Sequence, residues 1–336
     1  MEKNTFKFLI ETHELQDLIK SKKEHLLFDT SWYNTKIGRN KDCYYEHDQV
    51  EKIEGSINFN SVVTSNENLN FSFFFPSQDE FFGYLKKLLI TNEINIKKNS
   101  LENVPIIFYE KDEIFYAPRI WFMFKMYGFQ TLYILNGGLN KWLNEQRDVI
   151  TIRDQIESDT QIWGNDNKVK QVDKIIKEHI EKNKEHINDN LKNSIYSYSH
   201  INNFIVEKEK ENGNVKHFVL VDTRPNKSFS ALLSINEKEK VNNFIPFSIN
   251  IPYHYFINSH NQNLKYFTFK NELEIRKICD KYELLNEDKT IISTCNKGIS
   301  ACILLFLLHM LNKPLPKLIL YHGSFVDYKY HTYSLL

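Results

Sequence analysis

Short apolar runs alternate with longer amphipathic runs in two separate regions of the chain. The short runs are unbroken, as expected for strands of a sheet that is covered on both faces. The predicted strands of the first region are 26–30, 56–59, 105–109 and 131–135, and those of the second are 218–224, 249–252, 290–294 and 317–321. The longer runs repeat their apolar residues at helical spacing, which predicts helices at 77–90, 117–128, 270–282 and 299–311.

The alternation of strands and helices predicts parallel sheets with helical crossovers. The two regions also resemble each other. Each begins with an apolar strand that ends in Asp-Thr, at Asp29-Thr30 and at Asp222-Thr223. Each continues with an Ile-Asn strand and with a third strand that leads into a loop and a long helix. An internal repeat of this kind predicts two domains with one α/β fold.

The segment between the two copies differs in composition. It is rich in Lys, Glu and Asn, and its apolar residues keep an approximate helical spacing: Val169, Val172, Ile176, Ile180, Ile187 and Leu191. We therefore predict domains at 1–155 and 195–336, joined at 156–194 by a charged linker helix or a partly disordered insert. Acidic residues interleave with the lysines, which favours a solvated face over a basic functional arm.

Composition narrows the class of protein. The 336 residues suit about two domains of ~150 residues each. Lys+Arg and Asp+Glu both number 43, so the formal charge is zero and neither nucleic acid nor a cationic partner is indicated. Four cysteines in a chain of this length do not indicate a disulfide scaffold. No apolar run reaches ~18 residues and no signal-peptide core is evident, so we expect a cytoplasmic or mitochondrial protein without a membrane span.

Cys295 lies between the predicted strand 290–294 and the predicted helix that begins near Ser300. The carboxyl ends of parallel strands carry the chemistry of α/β folds, and the N-terminus of a helix stabilises an anion such as a thiolate. Gly298 lets the loop turn so that its N–H groups point inward, and Lys297 adds a positive charge. This pattern predicts a cradle for a nucleophilic sulfur.

A free cysteine can also serve as a small core side chain. The strand, the glycine loop and the helix around Cys295 favour the nucleophile over that alternative. Cys302 lies inside the apolar helix, and neither Cys43 nor Cys279 has a comparable loop. These three cysteines are predicted to be structural.

The loop Cys295–Ala301, CNKGISA, resembles the active-site loop of the rhodanese superfamily, Cys-x-x-Gly-x-Ser/Thr-Ala. LYILNGGLNKWLNEQ at 132–146 is similar to that family's Leu-Asp-Gly-Gly-Leu-x-x-Trp signature. Five further segments follow in the family's order: 28–39, 117–129, 219–224, 244–252 and 320–328. The resemblance spans nearly the whole chain outside the insert and is specific to two-domain thiosulfate and 3-mercaptopyruvate sulfurtransferases. It implies two tandem rhodanese-like domains, each a parallel sheet flanked by helices.

The resemblance also implies a chemistry, in which Cys295 attacks a sulfur donor and becomes a persulfide. Thiosulfate or 3-mercaptopyruvate would load the cysteine, and cyanide, a thiol or thioredoxin would unload it. The persulfide cradle would be formed by Asn296, Lys297, Gly298, Ile299, Ser300 and Ala301. A monomer is expected, with no cofactor, metal, nucleic acid or membrane partner.

The first domain lacks the nucleophile. Its equivalent loop, 108–119, contains no cysteine, and Glu110 falls near the nucleophile position. A carboxylate cannot accept a sulfane sulfur, so this domain is expected to be inactive. Trp32 matches a family residue that reaches towards the active sulfur, which makes it a candidate substrate contact, although core or interface packing is the alternative.

The substrate positions depart from the family pattern. Ser228, beside Lys227, stands where the family has a substrate-binding arginine, and a second arginine is replaced within 236–240. We therefore predict Lys297, Lys227 and Ser228 as substrate contacts. Arg224 matches a residue that the family ties into a structural ion pair, and it receives no substrate role.

Other family motifs are altered as well. The family's His-Ile-Pro-Gly is Phe-Ile-Pro-Phe at 244–247, and its Tyr-Asp-Gly-Ser-Trp is Tyr-His-Gly-Ser-Phe at 321–325. A first-domain histidine of some members falls near Lys52. The loop is thus family-like in altered surroundings, which predicts weak activity or an unusual donor.

Two alternatives belong to other classes of protein. A phosphatase of this fold needs an arginine six positions after the cysteine to grip phosphate, and Ala301 stands there. A persulfide carrier that delivers sulfur to a partner protein without turning over small donors fits the altered substrate positions. For an enzyme, the cationic loop predicts that thiosulfate is used at least as well as 3-mercaptopyruvate.

Overall fold

A computed structural model describes residues 8–32, 46–60, 73–92, 94, 96, 100–151, 166–211, 217–235 and 240–334. Three sequence predictions fall outside these residues: Cys43 as a structural cysteine, the start of the insert at 156–165, and the replaced arginine within 236–239.

The structure is a mixed α/β fold. The strands are β1 (Leu9–Ile10), β2 (Leu26–Asp29), β3 (Glu51–Lys52), β4 (Ser56–Asn58), β5 (Ile106–Tyr109), β6 (Leu132–Leu135), β7 (Ile150–Thr151), β8 (Ile195–Tyr196), β9 (Phe218–Asp222), β10 (Leu232–Ser234), β11 (Lys240–Asn242), β12 (Ser248–Asn250), β13 (Ile257–His260), β14 (Tyr266–Phe269), β15 (Thr290–Thr294) and β16 (Leu318–Tyr321). The helices are α1 (Thr12–Lys20), α2 (Gln78–Thr91), α3 (Ala117–Met126), α4 (Gly138–Asn144), α5 (Asp166–Ser194), α6 (Tyr198–Lys210), α7 (Asn226–Phe229), α8 (Glu272–Lys281), α9 (Ala301–Met310) and α10 (Ser324–Tyr333).

Two five-stranded parallel sheets organise these elements. The first has the strand order β1-β6-β5-β2-β4, and the second has the order β8-β16-β15-β9-β12. When the five strands of each sheet are numbered along the chain, both sheets have the same spatial order, 1-5-4-2-3. The α/β repeat predicted from the sequence is confirmed, and β5 and β15 are the equivalent central strands.

The chain divides into two compact units. The first contains the described residues within 1–63, 77–187 and 258–269, and the second contains those within 64–76, 188–257 and 270–336. Each unit therefore includes a segment from the other half of the sequence. The pattern of hydrophobic residues carried no signal for this exchange.

The central strand of the second sheet is covered by apolar side chains. All five residues of β15 are buried, and α9 packs on β15 and β16 with nine of its ten residues buried. A second cluster, from α6, α10 and three strands, includes Phe204, Leu220, Ile292, Ile319 and Phe325. Burial of this extent makes the carboxyl end of β15 a rigid support for the residue that follows it.

The predicted strands and helices are present, and several elements were not predicted. The additional helices are α1, α4, α6, α7 and α10, and the additional strands are β1, β3, β7 and β8 together with the hairpins β10–β11 and β13–β14. The described part of the insert is α5, whose side chains Val172, Ile175, Ile176 and Ile187 are buried. One stripe of this helix is therefore buried, and its Lys and Glu residues form the solvated face.

Candidate functional site

Cys295 directly follows β15 and is 3% exposed. Its backbone is held from the loop after β16: the Cys295 N–H donates to Ser324 Oγ at 3.1 Å, and the Phe325 N–H donates to the Cys295 carbonyl at 3.0 Å. The Val326 N–H donates to the carbonyl of Asn296 at 3.0 Å. These bonds fix the position of the nucleophile candidate relative to two neighbouring strands.

The loop turns at Gly298, whose φ of +75° lies in the region that glycine tolerates best. Helix α9 begins at Ala301, close to the predicted start near Ser300. The Cys302 N–H donates to the Ile299 carbonyl at 3.0 Å, which tightens the entry into the helix. The Cys302 thiol, predicted to be purely structural, is fully buried and donates to the Gly298 carbonyl at 3.4 Å. It therefore also supports the loop.

The base of the loop is tied to the neighbouring strand β9. The Thr223 N–H donates to the Thr294 carbonyl at 2.9 Å, and Thr223 Oγ1 shares a hydrogen bond of 3.0 Å with Ser300 Oγ. Both Thr223 and Thr294 are fully buried. The loop from Cys295 to Ala301 is thus closed by contacts from β9 on one side and from the β16 loop on the other.

Lys297 is half buried, and its Nζ lies 5.8 Å from the centroid of the Phe73 ring. The adjacent Phe74 ring packs edge-on against His322 at 4.6 Å. Sequence reasoning missed Phe73 and Phe74, and it treated His322 as a departure from a motif without a role. The one available signal was the run FSFFF at 71–75 of the sequence, and Phe73 and Phe74 of this run lie more than 200 positions before Lys297 and His322, which they contact.

The predicted substrate contacts lie in different places. Lys227 and Ser228 are exposed on α7, which follows β9 at the same carboxyl edge of the sheet as Cys295. None of the described contacts brings these two side chains to the loop. Trp32 belongs to the first unit, where its ring lies 5.5 Å from that of Tyr116. Their substrate roles remain predictions.

Arg224 forms the ion pair expected of it. Its Nη2 and Nε lie 2.6 and 2.9 Å from Asp222 Oδ2, and its guanidinium stacks over the Phe325 ring at 4.2 Å. Burial raises the pKa of Asp222, and the hydrogen bonds and charge of Arg224 oppose that rise. Because Phe325 also donates to the Cys295 carbonyl, this ion pair packs against a residue that holds the loop.

Glu110 occupies the equivalent place in the first unit, directly after the central strand β5. Its Oε1 accepts the N–H groups of Phe115 at 2.8 Å and of Ala117 at 2.7 Å, where α3 begins. Its carbonyl accepts the Leu139 N–H at 2.8 Å, as the Cys295 carbonyl accepts that of Phe325. Burial nevertheless raises the pKa of Glu110 to about 8.

The remaining described cysteine, Cys279, is fully buried on α8. Burial raises its pKa to about 12, which keeps the thiol protonated and unreactive at neutral pH. Among the described side chains, no three His, Cys, Asp or Glu groups are placed to hold a metal ion. None of the described helices has the length and hydrophobicity needed to cross a membrane.

Comparison with known proteins agrees with this geometry. The family model of the Rhodanese-like domain matches residues 11–145 and 205–331. The chain belongs to the rhodanese-like domain family. The two matched segments contain both central strands, and the second contains the Cys295 loop.

Relatives of this rhodanese-like protein are named sulfurtransferases. It is 23% identical over 306 residues to the thiosulfate sulfurtransferase of Gallus gallus, covering 90% of this chain and 85% of that one. It is 23% identical over 279 residues to the 3-mercaptopyruvate sulfurtransferase of Mus musculus, covering 82% and 76%. Both thiosulfate and 3-mercaptopyruvate sulfurtransferases match the chain. The similarity therefore supports sulfur transfer as the class of reaction and does not distinguish between the two sulfur donors.

The fold is shared with a solved structure of similar length. The sub-stoichiometric sulfur transferase subunit of yeast mitochondrial complex I superimposes with a TM-score of 0.64 at 22% identity, covering 96% of this chain and 95% of that one. At this identity the likeness shows the tandem rhodanese-like fold.

Proposed function

We propose that the protein is a sulfurtransferase that carries a sulfane sulfur on Cys295, from thiosulfate or 3-mercaptopyruvate to a thiophilic acceptor. The observation that carries the proposal is the position of this thiol. It stands at the end of the central strand, in a glycine-turned loop that leads into the N-terminus of α9. The N-terminus of a helix stabilises a negative charge nearby, and a persulfide anion carries such a charge.

The transfer takes place in two steps. With thiosulfate, the Cys295 thiolate attacks the outer sulfur, an S–S bond forms, and the bond to the departing sulfite breaks with its electron pair. The enzyme is left as a persulfide anion. An acceptor such as cyanide or a thiolate then attacks the outer sulfur, leaves as thiocyanate or as a persulfide, and returns Cys295 to its thiolate. No net oxidation of the protein occurs.

The first unit supports this assignment by internal comparison. There, the loop after the equivalent central strand directs two backbone N–H groups to one oxygen of Glu110. The same kind of loop around Cys295 would direct its N–H groups to sulfur, which is the preorganised arrangement that stabilises a charged intermediate. We take residues Asn296 to Ala301 as that cradle.

Intact mass tests the proposal directly. The protein is incubated with thiosulfate or with 3-mercaptopyruvate, freed of donor, and then treated with cyanide. We expect a gain of one sulfur, which cyanide removes, and no gain in Cys295→Ser. Cys279→Ser is the matched control and should gain sulfur as the wild type does, because Cys279 is buried in α8. A sulfur gain in Cys295→Ser would refute the assignment of the nucleophile.

A persulfide carrier is the second candidate, because the exposed Ser228, beside Lys227, stands where the family has a substrate arginine. In that case the proper donor or acceptor is another protein, and the yeast complex I subunit shows that this fold occurs within a larger assembly. Steady-state assays separate the two. A carrier accepts sulfur once, with slow release to cyanide or thioredoxin, whereas an enzyme turns over repeatedly.

A further inference from the structure

The second compact unit includes a short segment from the first half of the sequence, residues 73–76. It brings consecutive aromatic side chains to the carboxyl edge of the second sheet. Phe73 is 4% exposed, and its ring centroid lies 5.8 Å from Lys297 Nζ. This distance is within the range of a cation–π interaction.

The segment is anchored to the loop that also holds Cys295. The Phe75 N–H donates to His322 Nδ1 at 3.3 Å, and the Phe74 ring packs edge-on against the His322 ring. Because Nδ1 accepts, the proton of the neutral imidazole lies on Nε2. His322 directly follows β16, and two residues later Ser324 Oγ accepts the Cys295 N–H. Phe73 is therefore held in fixed relation to the nucleophile loop.

An aromatic ring beside a lysine affects it differently than a carboxylate in the same place would. The ring attracts the ammonium through its quadrupole and, unlike a carboxylate, brings no negative charge that would offset the charge of Lys297. The ring also limits the rotamers of a long, flexible side chain. Burial of the ring strengthens the attraction, because water competes less for the ammonium.

We infer that Phe73 is a positioning residue: it holds the Lys297 ammonium beside Cys295, and in doing so it selects anionic sulfur donors. This inference rests on the proposed function, since it concerns which donor Cys295 accepts. Phe73 lies in the first half of the chain, and it affects the choice of donor only by positioning Lys297.

The test uses two alkylating reagents that differ in charge. Iodoacetate is an anion and iodoacetamide is neutral, and both alkylate a thiolate by the same displacement. The ratio of their rates at Cys295, read by site-resolved mass spectrometry on the full chain, reports the cation beside the sulfur without requiring turnover. We expect Lys297→Met to lower the iodoacetate-to-iodoacetamide ratio by about three- to tenfold and Phe73→Leu to lower it similarly.

Three further kinds of variant distinguish a positioning role of Phe73 from a packing role. In the double variant Phe73→Leu with Lys297→Met, the ratio should fall no further than in Lys297→Met alone. Fluorinated phenylalanines at position 73 keep the shape of the ring and weaken its quadrupole, so the ratio should fall stepwise with each fluorine while the melting temperature stays level. Phe73→Tyr should retain the wild-type ratio.

A matched control lies on the same unit. Lys281 Nζ is 5.4 Å from the centroid of Tyr282, which comes before β15 and hence lies towards its amino end. Tyr282→Leu removes a similar pair far along the strand from Cys295, and it should leave the ratio unchanged.

The outcomes distinguish this inference from the proposed function. If Cys295 gains no sulfur from either donor, the proposed function fails, and the alkylation ratio still tests Phe73. If sulfur is gained but Phe73→Leu keeps the wild-type ratio, the inference fails alone. It also fails if Phe73→Leu lowers the ratio equally in the Lys297→Met background, or if fluorination has no effect. With both donors active, Phe73→Leu should raise the KM for thiosulfate more than that for 3-mercaptopyruvate.

Discussion

At Lys297, a positive charge lies two residues from Cys295 and against a buried ring. Thiosulfate is a compact dianion whose reacting sulfur must approach an anionic thiolate. An ammonium beside the loop offsets this repulsion and stabilises the departing sulfite. The carboxylate of 3-mercaptopyruvate lies farther from its sulfur and is better suited to the arginine forks that this chain lacks at Ser228.

Lys297→Ala should therefore affect the two donors unequally. Loss of one charge-assisted contact of ~1.5–3 kcal/mol should lower kcat/KM for thiosulfate by about one to two powers of ten. The decrease for 3-mercaptopyruvate should be smaller. Both values are measured with a common acceptor in the two proteins. A clear wild-type preference for 3-mercaptopyruvate, or equal losses for both donors, would contradict the role of this lysine.

The raised pKa of Glu110 predicts how the stability of the folded protein depends on pH. Its ordinary pKa is 4.5, and burial raises the pKa in the folded protein to about 8. Between these values the unfolded chain releases the proton and the folded chain retains it, so stability is lost as the pH rises from about 4.5 to 8. Glutamine copies the protonated acid and has no such loss.

The unfolding free energy of Glu110→Gln should match that of the wild type near pH 4.5 and exceed it at pH 8 by about 4 kcal/mol. Urea unfolding of both proteins at several pH values gives the difference. A gap that stays constant with pH would show that the carboxyl is already ionised in the fold. Sulfur loading of Cys295 should be unchanged, because this site lies after β5.

At the scale of elements, the start of α10 supports the strand that carries the nucleophile. Ser324 has a φ of +54°, which costs a residue with a side chain roughly 1–2 kcal/mol. Its hydroxyl accepts the Cys295 N–H and donates to the Tyr321 carbonyl at 2.9 Å. The residue is fully buried, so the strained backbone is held in place by these bonds and by the packing around them.

Two substitutions of Ser324 separate the cost of backbone strain from the contribution of the hydroxyl's hydrogen bonds to stability. Ser324→Ala removes the hydroxyl and keeps the strain, and it should lower the unfolding free energy by ~1–3 kcal/mol. Ser324→Gly removes both, so its loss should be smaller by about 1 kcal/mol. Both should slow sulfur loading of Cys295, whose N–H loses this acceptor. Equal stability of the alanine and glycine variants would show that the backbone is not strained.

At the scale of the whole molecule, the compact units do not coincide with the halves of the sequence. The hairpin of β13 and β14 belongs largely to the first unit. There Asn144 exchanges hydrogen bonds with Leu264, of 2.7 and 3.0 Å, and Asn140 donates to the Lys265 carbonyl at 2.8 Å. Residues 73–76 belong to the second unit.

A fragment of residues 188–336 should therefore be less stable than its own sheet suggests. It lacks the aromatic segment at 73–76, and its hairpin at 258–269 loses the asparagine contacts. We expect a lower urea midpoint than for the full chain, together with weaker sulfur loading of Cys295. Circular dichroism and intact mass under the same conditions measure both. A fragment with the midpoint and the loading of the full chain would contradict this.

The sequence by itself determined the local elements and the nucleophile candidate. Unbroken apolar runs and helical spacing are properties of neighbouring residues, so the strands β2, β5, β9 and β15 and the helix α9 could be predicted. The Asp-Thr repeat and the loop Cys295–Ala301 are also local features. They indicated two equivalent domains, of which only the second has a candidate nucleophilic cysteine. Short elements such as β1 and β8, of two residues each, carry too little pattern to be recognised.

Only the tertiary structure decided which distant residues meet the loop. Phe73, His322 and Ser324 reach the site of Cys295 through the order of parallel strands and through a segment taken from the other half of the chain. Such contacts depend on loop closure over tens to hundreds of residues, and hydrophobic periodicity contains no information about them. The sequence thus identified the group that reacts, and the fold selected the groups that surround it.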